Sequence, residues 1–169
     1  KLIKINNQTL KYNYDGLKLK VLLDRVYSSK ENYTIVIEYT SSPNEIDVKH
    51  GRAITSDKGL YFINPTGEDK NKMPQIWTQG ETEANSVWFP TIDAPNAKST
   101  QEIYITVKEK YKTLSNGIFK GSKSHRKGYR TDHWEQKKPH APYLFMMAIG
   151  EFIEVKDLYK RQDGSKMEV

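Results

Sequence analysis

Few residue types in this 169-residue chain could do chemistry. It has no cysteine, which excludes disulfides, thiolate zinc sites, iron–sulfur clusters and cysteine nucleophiles, and says nothing about compartment. The four histidines, His50, His125, His133 and His140, form no His-Glu-x-x-His motif, and no two stand three or four residues apart, as a ligand pair on one helical face would. That makes them a poor zinc-ligand set. No Gly-x-Ser-x-Gly elbow, phosphate loop or dinucleotide fingerprint is present. Charge is the more conspicuous feature. The formal net charge is +6, and the stretch from Lys120 to Lys138 alone nets +5, with His125, Tyr129, His133 and Trp134 interleaved. Cations alternating with rings could contact phosphates and stack bases, yet no nucleic-acid motif accompanies them. The stretch reads as a solvated surface loop with no specific nucleic-acid role.

The elements that must position any site are strands. Leu17, Leu19, Val21 and Leu23 alternate with other residues, as do Tyr33, Ile35, Ile37 and Tyr39, and Ile103, Ile105 and Val107. A period of two marks a strand with one buried face. Lys1 to Ile5, Leu60 to Ile63 and Tyr143 to Val155 are further strand candidates, the last expected to bend at Gly150. Asp15-Gly16, Ser41-Ser42-Pro43-Asn44, Asn64-Pro65-Thr66-Gly67, Asn116-Gly117 and Asp163-Gly164 supply turn chemistry between them. Helical signal is confined to a turn or two at Thr82 to Val87 and Asn96 to Thr100. The expected fold is all-β, an antiparallel β-sandwich, in a single domain over residues 1–169. The longest wholly apolar run, Tyr143 to Ile149, is far short of the ~20 residues of a membrane helix, so no membrane span is expected.

One segment is denser in particular residue types than a strand and loop require. Gln79, Glu81, Ala84, Phe89, Pro90, Asp93, Pro95 and Lys98 stand in the order and spacing Gln-x-Glu, Ala, Phe-Pro-x-x-Asp-x-Pro, Lys, just before the Ile103 strand. This resembles the N-terminal domain of the aminopeptidase N family of zinc metallopeptidases. The similarity continues in Leu114-Ser115-Asn116-Gly117, in Pro142-Tyr143-Leu144 through Gly150-Glu151-Phe152, and upstream in Gly51-Arg52 and Gly59-Leu60-Tyr61. Asn85 departs from the family, standing where arginine is usual, and so do Thr91 and Ala94 beside Asp93.

The resemblance implies an elongated, saddle-like β-sandwich that is non-catalytic by itself. The family's zinc ligands and catalytic groups lie in a following thermolysin-like domain, so no cofactor is expected in this chain and zinc is expected in that domain. The chain is then expected to be a piece of a longer multidomain aminopeptidase, inactive in isolation, whose partners are that catalytic domain and the free N-terminus of a peptide. Glu81 is the residue matching the carboxylate that pairs with the substrate α-ammonium, and Gln79 would line the same pocket. Such a carboxylate suits the task because it pairs with the terminal charge and is costly to leave unpaired. Taken without the resemblance, Glu81 is an acid opening a helical turn and Gln79 an edge-strand residue. Asp93 is expected to cap or brace its loop, with Trp88 and Phe89 in the core. Two other readings remain open at this point: a family member that lost catalysis and serves as an interaction scaffold, and a free-standing β-sandwich binding an anion through Lys120 to Lys138.

Overall fold

The computed structural model describes residues 2–43 and 58–168. His50, the Gly51-Arg52 similarity and Asn44 of the predicted turn lie outside them. The described chain is all-β, and its strands pair antiparallel throughout. In chain order these are β1 (Leu2–Ile5), β2 (Gln8–Thr9), β3 (Tyr12–Tyr14), β4 (Leu19–Val21), β5 (Val36–Glu38), β6 (Leu60–Ile63), β7 (Gln75–Thr78), β8 (Ser99–Lys108), β9 (Lys112–Ser115), β10 (Ile118–Arg126), β11 (Tyr129–His140), β12 (Met147–Gly150), β13 (Leu158–Lys160) and β14 (Lys166–Glu168). They form sheets ordered β2-β1-β5, β6-β7-β12-β9 and β10-β11-β8, with two-stranded pairs β3-β4 and β13-β14.

Two apolar clusters follow from the alternation. Ile3, Ile5 and Leu10 are buried against Leu19, Val21, Leu23, Tyr27, Ile35 and Ile37. In the second, Ile105 and Val107 of β8 meet Ile149 of β12, flanked by Ile76, Ile103, Tyr111, Trp134 and Met147. Each fully buried aliphatic side chain is worth about 1.5–3 kcal/mol, so the second cluster is what presses the three-stranded sheet onto the four-stranded one. The face of the four-stranded sheet that bears Ile76 and Ile149 is therefore the inner one, and the rows between point the other way.

Three expectations are corrected. The basic stretch from Lys120 to Lys138 is not a loop but most of the β10-β11 hairpin, with β11 paired along β8. Between Trp134 and the hairpin's turn its inner face is polar, carrying Ser122, Arg130 and Asp132, so apolar alternation is missing there and a hydrogen-bonded network replaces it. Asp132 lies 2% exposed. It receives Arg130 Nε on Oδ1 at 2.9 Å, Arg130 Nη2 on Oδ2 at 2.9 Å, the Thr113 hydroxyl at 2.7 Å and the Ser122 hydroxyl. Second, Asn96 to Thr100 holds no helical turn; it runs from a turn into β8. Third, the run from Tyr143 is not one bent strand. A 3₁₀ turn at Pro142–Leu144 precedes β12, which ends at Gly150 because the Phe152 ring folds back over that residue and fills the place of a side chain.

Candidate functional site

The Gln79–Glu81 segment leaves the end of β7. Gln79 N–H donates to the Gly59 carbonyl at 3.0 Å, which extends the β6-β7 ladder one step and puts Gln79 on the same sheet face as Trp77. Gly80 is buried, and its carbonyl accepts the Ala84 N–H at 3.0 Å, which closes the turn. A side chain at Gly80 would collide with the Asn85 amide and the Tyr143 carbonyl, so the close approach requires glycine. The Glu81–Thr82 peptide bond is cis.

Asn85 anchors this turn from behind. It is wholly buried, at 0% exposure, in the 3₁₀ turn Asn85–Val87. Its Nδ2 donates to the carbonyls of Pro142 at 2.6 Å and Phe145 at 2.9 Å, and its Oδ1 accepts from Trp88 Nε1 at 2.8 Å. Both donors and an acceptor are used, so burial of this amide is compensated without any charge. The position at which the family usually has arginine thus keeps a complete set of neutral bonds. Asp93 braces the turn as expected, its Oδ2 accepting the Ser86 N–H at 2.7 Å. From the segment that follows β5, the Tyr39 hydroxyl donates to the Trp88 carbonyl and the Ser41 hydroxyl to the Val87 carbonyl, each at 2.7 Å. Phe89 stacks on Phe145 with ring centroids 5.2 Å apart, and Phe145 on His140 at 4.3 Å.

The result is a turn fixed on its inner side and open on its outer side. Glu81 is exposed and Gln79 is half-buried, two residues apart on one connection. No described residue hydrogen-bonds or ion-pairs with Glu81. An exposed carboxylate next to a side-chain amide, both on a rigid support, can accept hydrogen bonds from a cation that approaches from outside.

A family profile described as the Peptidase M1 N-terminal domain matches residues 1–144. The chain belongs to this family. Aminopeptidase B of Rattus norvegicus is 26% identical over 93 residues, which are 55% of this chain and 14% of the relative. Among solved structures, aminopeptidase A of Legionella pneumophila in complex with aspartic acid superposes with a TM-score of 0.72 at 18% identity, over 99% of this chain and 18% of that one. A mutant M1 zinc metallopeptidase from Deinococcus radiodurans, bound to a Tyr-ser-ala substrate, gives 0.69 at 15% identity over 99% and 36%. At these identities the structures speak for the fold. The chain spans about a third or less of the length of these relatives.

The zinc of the M1 family belongs to its catalytic domain. Among the described residues of this N-terminal domain, no group of three or more His, Cys, Asp or Glu could hold a metal ion. Two histidines are engaged otherwise: His133 stacks on Tyr104 with centroids 4.2 Å apart, and His140 on Phe145. The donor set of the described residues does not fit zinc. No helix of the described residues is long and apolar enough to cross a membrane.

The motif spacing draws attention to Gln79, Glu81 and Asp93, but it overlooks two features of their surroundings. Asn85 registered only as a departure from the family, although a polar residue inside a turn flanked by Ala84 and Val87 could have been read as a buried brace. The second is a stacked pair, Tyr61 and Trp77, on the face shared with Gln79. Trp77 stands two residues before Gln79, so the same period of two that found the strands would have placed both on one face.

Proposed function

We propose that this M1 N-terminal domain supplies the recognition of the substrate α-amine to a zinc aminopeptidase, with Glu81 as the anchor and Gln79 beside it. The observation that carries the reading is the turn itself: Gly80 wedged against Asn85 holds the backbone, while Glu81 stays exposed. An α-ammonium is found only at a chain terminus, so a carboxylate waiting for it favours terminal over internal peptide bonds. Holding that amine also fixes which peptide bond is presented to the catalytic domain, and positioning of this kind lowers the barrier as well as the dissociation constant. The Gln79 amide can bond the substrate backbone next to the amine. Solved relatives are recorded with aspartic acid, L-tryptophan and a Tyr-ser-ala substrate, each of which carries a free α-amine.

The test uses the protein in which this domain is joined to its catalytic domain. Glu81→Gln and Glu81→Ala should each lower kcat/KM on free-amine substrates by roughly 10²-fold, about 3 kcal/mol, the scale of breaking a desolvated charge pair. Glu83→Ala, an exposed residue two positions on, should change it little. Near-parental activity of both Glu81 variants, with folding verified by melting temperature, would sink the reading.

A further inference from the structure

The four-stranded sheet has an outer row that the core does not use. Tyr61 of β6 pairs with Trp77 of β7, Trp77 with Ala148 of β12, and Ala148 with Leu114 of β9. The rows on either side contain the core residues Met147, Ile76 and Ile149. Strand alternation therefore turns the row of Tyr61 and Trp77 away from the opposing sheet. The two rings stack with centroids 4.5 Å apart and planes 13° apart, and both remain half-buried rather than closed off. On the far side of Trp77 the row continues with alanine, the smallest side chain that could stand there.

This row adjoins the anchoring turn. Gln79 lies two residues beyond Trp77, about 6.6 Å along the strand and on the same face. Gly59, opposite Gln79 and two residues before Tyr61, has no side chain, and the Ala84 carbonyl of the Glu81 turn occupies the space one would need. The turn that carries Glu81 is thus packed onto the start of β6, beside Gln79 and the row of stacked rings.

We infer that Tyr61 and Trp77 form the floor beneath the substrate's N-terminal side chain, and that they favour planar side chains, aromatic or guanidinium. The inference rests on the assignment of the α-amine to Glu81. A substrate held there by its amine has its first side chain adjacent to the rings. A π surface rewards flat partners: aromatic rings stack on it offset, and a guanidinium lies over it as a cation–π contact, for which tryptophan is the best of the aromatic residues. An aliphatic or very short side chain gains no such contact, so the floor adds a preference that the amine anchor cannot supply.

The experiment measures kcat/KM for substrates with N-terminal Tyr, Arg and Ala, and the inhibition constants of the corresponding amino-acid amides, in the protein joined to its catalytic domain. Trp77→Ala should lower the Tyr-over-Ala and Arg-over-Ala ratios roughly tenfold in both measurements, the scale of one stacking or cation–π contact. Trp77→Phe should keep most of the preference. Trp77→Leu, which preserves apolar bulk without a π face, should lose it while keeping the melting temperature. Glu81→Gln should slow all three substrates alike and leave the ratios intact, so failure of the anchor and failure of the floor give different patterns. Unchanged ratios in Trp77→Leu and Trp77→Ala, whether activity persists or falls equally for every substrate, would overturn the inference and mark the pair as a surface for packing only.

Discussion

Two buried polar centres hold this domain together, and they use opposite chemistry. The Asn85 centre under the Glu81 turn is neutral: one amide bridges two carbonyls and an indole N–H. The Asp132 centre between the β10-β11 hairpin and β9 is ionic, with a bidentate guanidinium and two hydroxyls on one carboxylate. Arg130 extends it by donating to the backbone carbonyls of Glu109 at 2.8 Å and Tyr111 at 2.7 Å. The neutral centre fixes a local turn, whereas the ionic one fastens one sheet to the other through Thr113. The difference teaches that a buried charge here serves assembly of the sandwich, while the candidate site is positioned by a group that cannot titrate.

The ionic centre should be the more fragile when broken. Asp132→Ala strands the Arg130 guanidinium with its charge unpaired, and should cost about 3–5 kcal/mol, read as a lower urea midpoint at an unchanged slope. Burial opposes ionisation of Asp132, but the bonds from Arg130, Ser122 and Thr113 and the Arg130 charge outweigh it, so its carboxyl is held below the ordinary aspartate value. A folded-state value below the unfolded one (~3.9 for a free aspartate) contributes stability that is complete above the unfolded value and is lost as pH falls through the folded one. The gap between parent and Asp132→Asn should therefore be full at neutral pH and narrow below about pH 4. A gap independent of pH would show that the pair is not ionic in the folded protein.

The neutral centre should show a smaller effect with no pH dependence of its own. Asn85→Ala leaves two carbonyls and the Trp88 N–H without a partner and should cost about 2–3 kcal/mol. Because Gly80 is wedged against this side chain, activity in the protein joined to its catalytic domain should fall beyond what the loss of folded protein explains. Asn85→Asp, nearly isosteric, sets a carboxylate against two carbonyl oxygens and should be no milder than alanine. If Asn85→Ala melts at the parental temperature, the turn is held by its backbone alone and the contrast between the two centres disappears.

How much of this was legible follows from the same contrast. Where one face of a strand buries aliphatic side chains, the pattern announces it: Leu60–Ile63 was found with its observed bounds, and Ile105 and Val107 were placed on one buried face. β10 and β11 escaped because the inward residues of the hairpin include Ser122, Arg130 and Asp132. A polar core is indistinguishable from a solvated surface until the partners of its hydrogen bonds are known, and these partners are distant in sequence. The Gln79–Glu81 spacing was legible through family resemblance. Its support by Asn85 was not, because the acceptors Pro142 and Phe145 lie 57 and 60 residues away.

The smallest effect concerns the outer face of the same hairpin, where the density of charge in sequence is greatest. Its cations are already partly engaged: Lys120 and Lys137 reach Glu135 at 3.3 and 3.6 Å, and the Arg126 guanidinium lies 4.3 Å from the centre of the Tyr129 ring. Exposed pairs of this kind contribute little, because solvent screens them and long side chains lose freedom in forming them. Lys123→Glu combined with Lys127→Glu should leave the melting temperature within about 2 °C of the parent, against the much larger losses at Asp132 and Asn85. The unmodified face should bind single- and double-stranded nucleic acids weakly and without sequence preference, and that binding should decline steeply between 50 and 200 mM salt (roughly the range over which counterion release dominates). Salt-resistant binding that distinguishes sequences, abolished by the two substitutions, would reverse the ranking of the regions and make the hairpin's outer face a site in its own right.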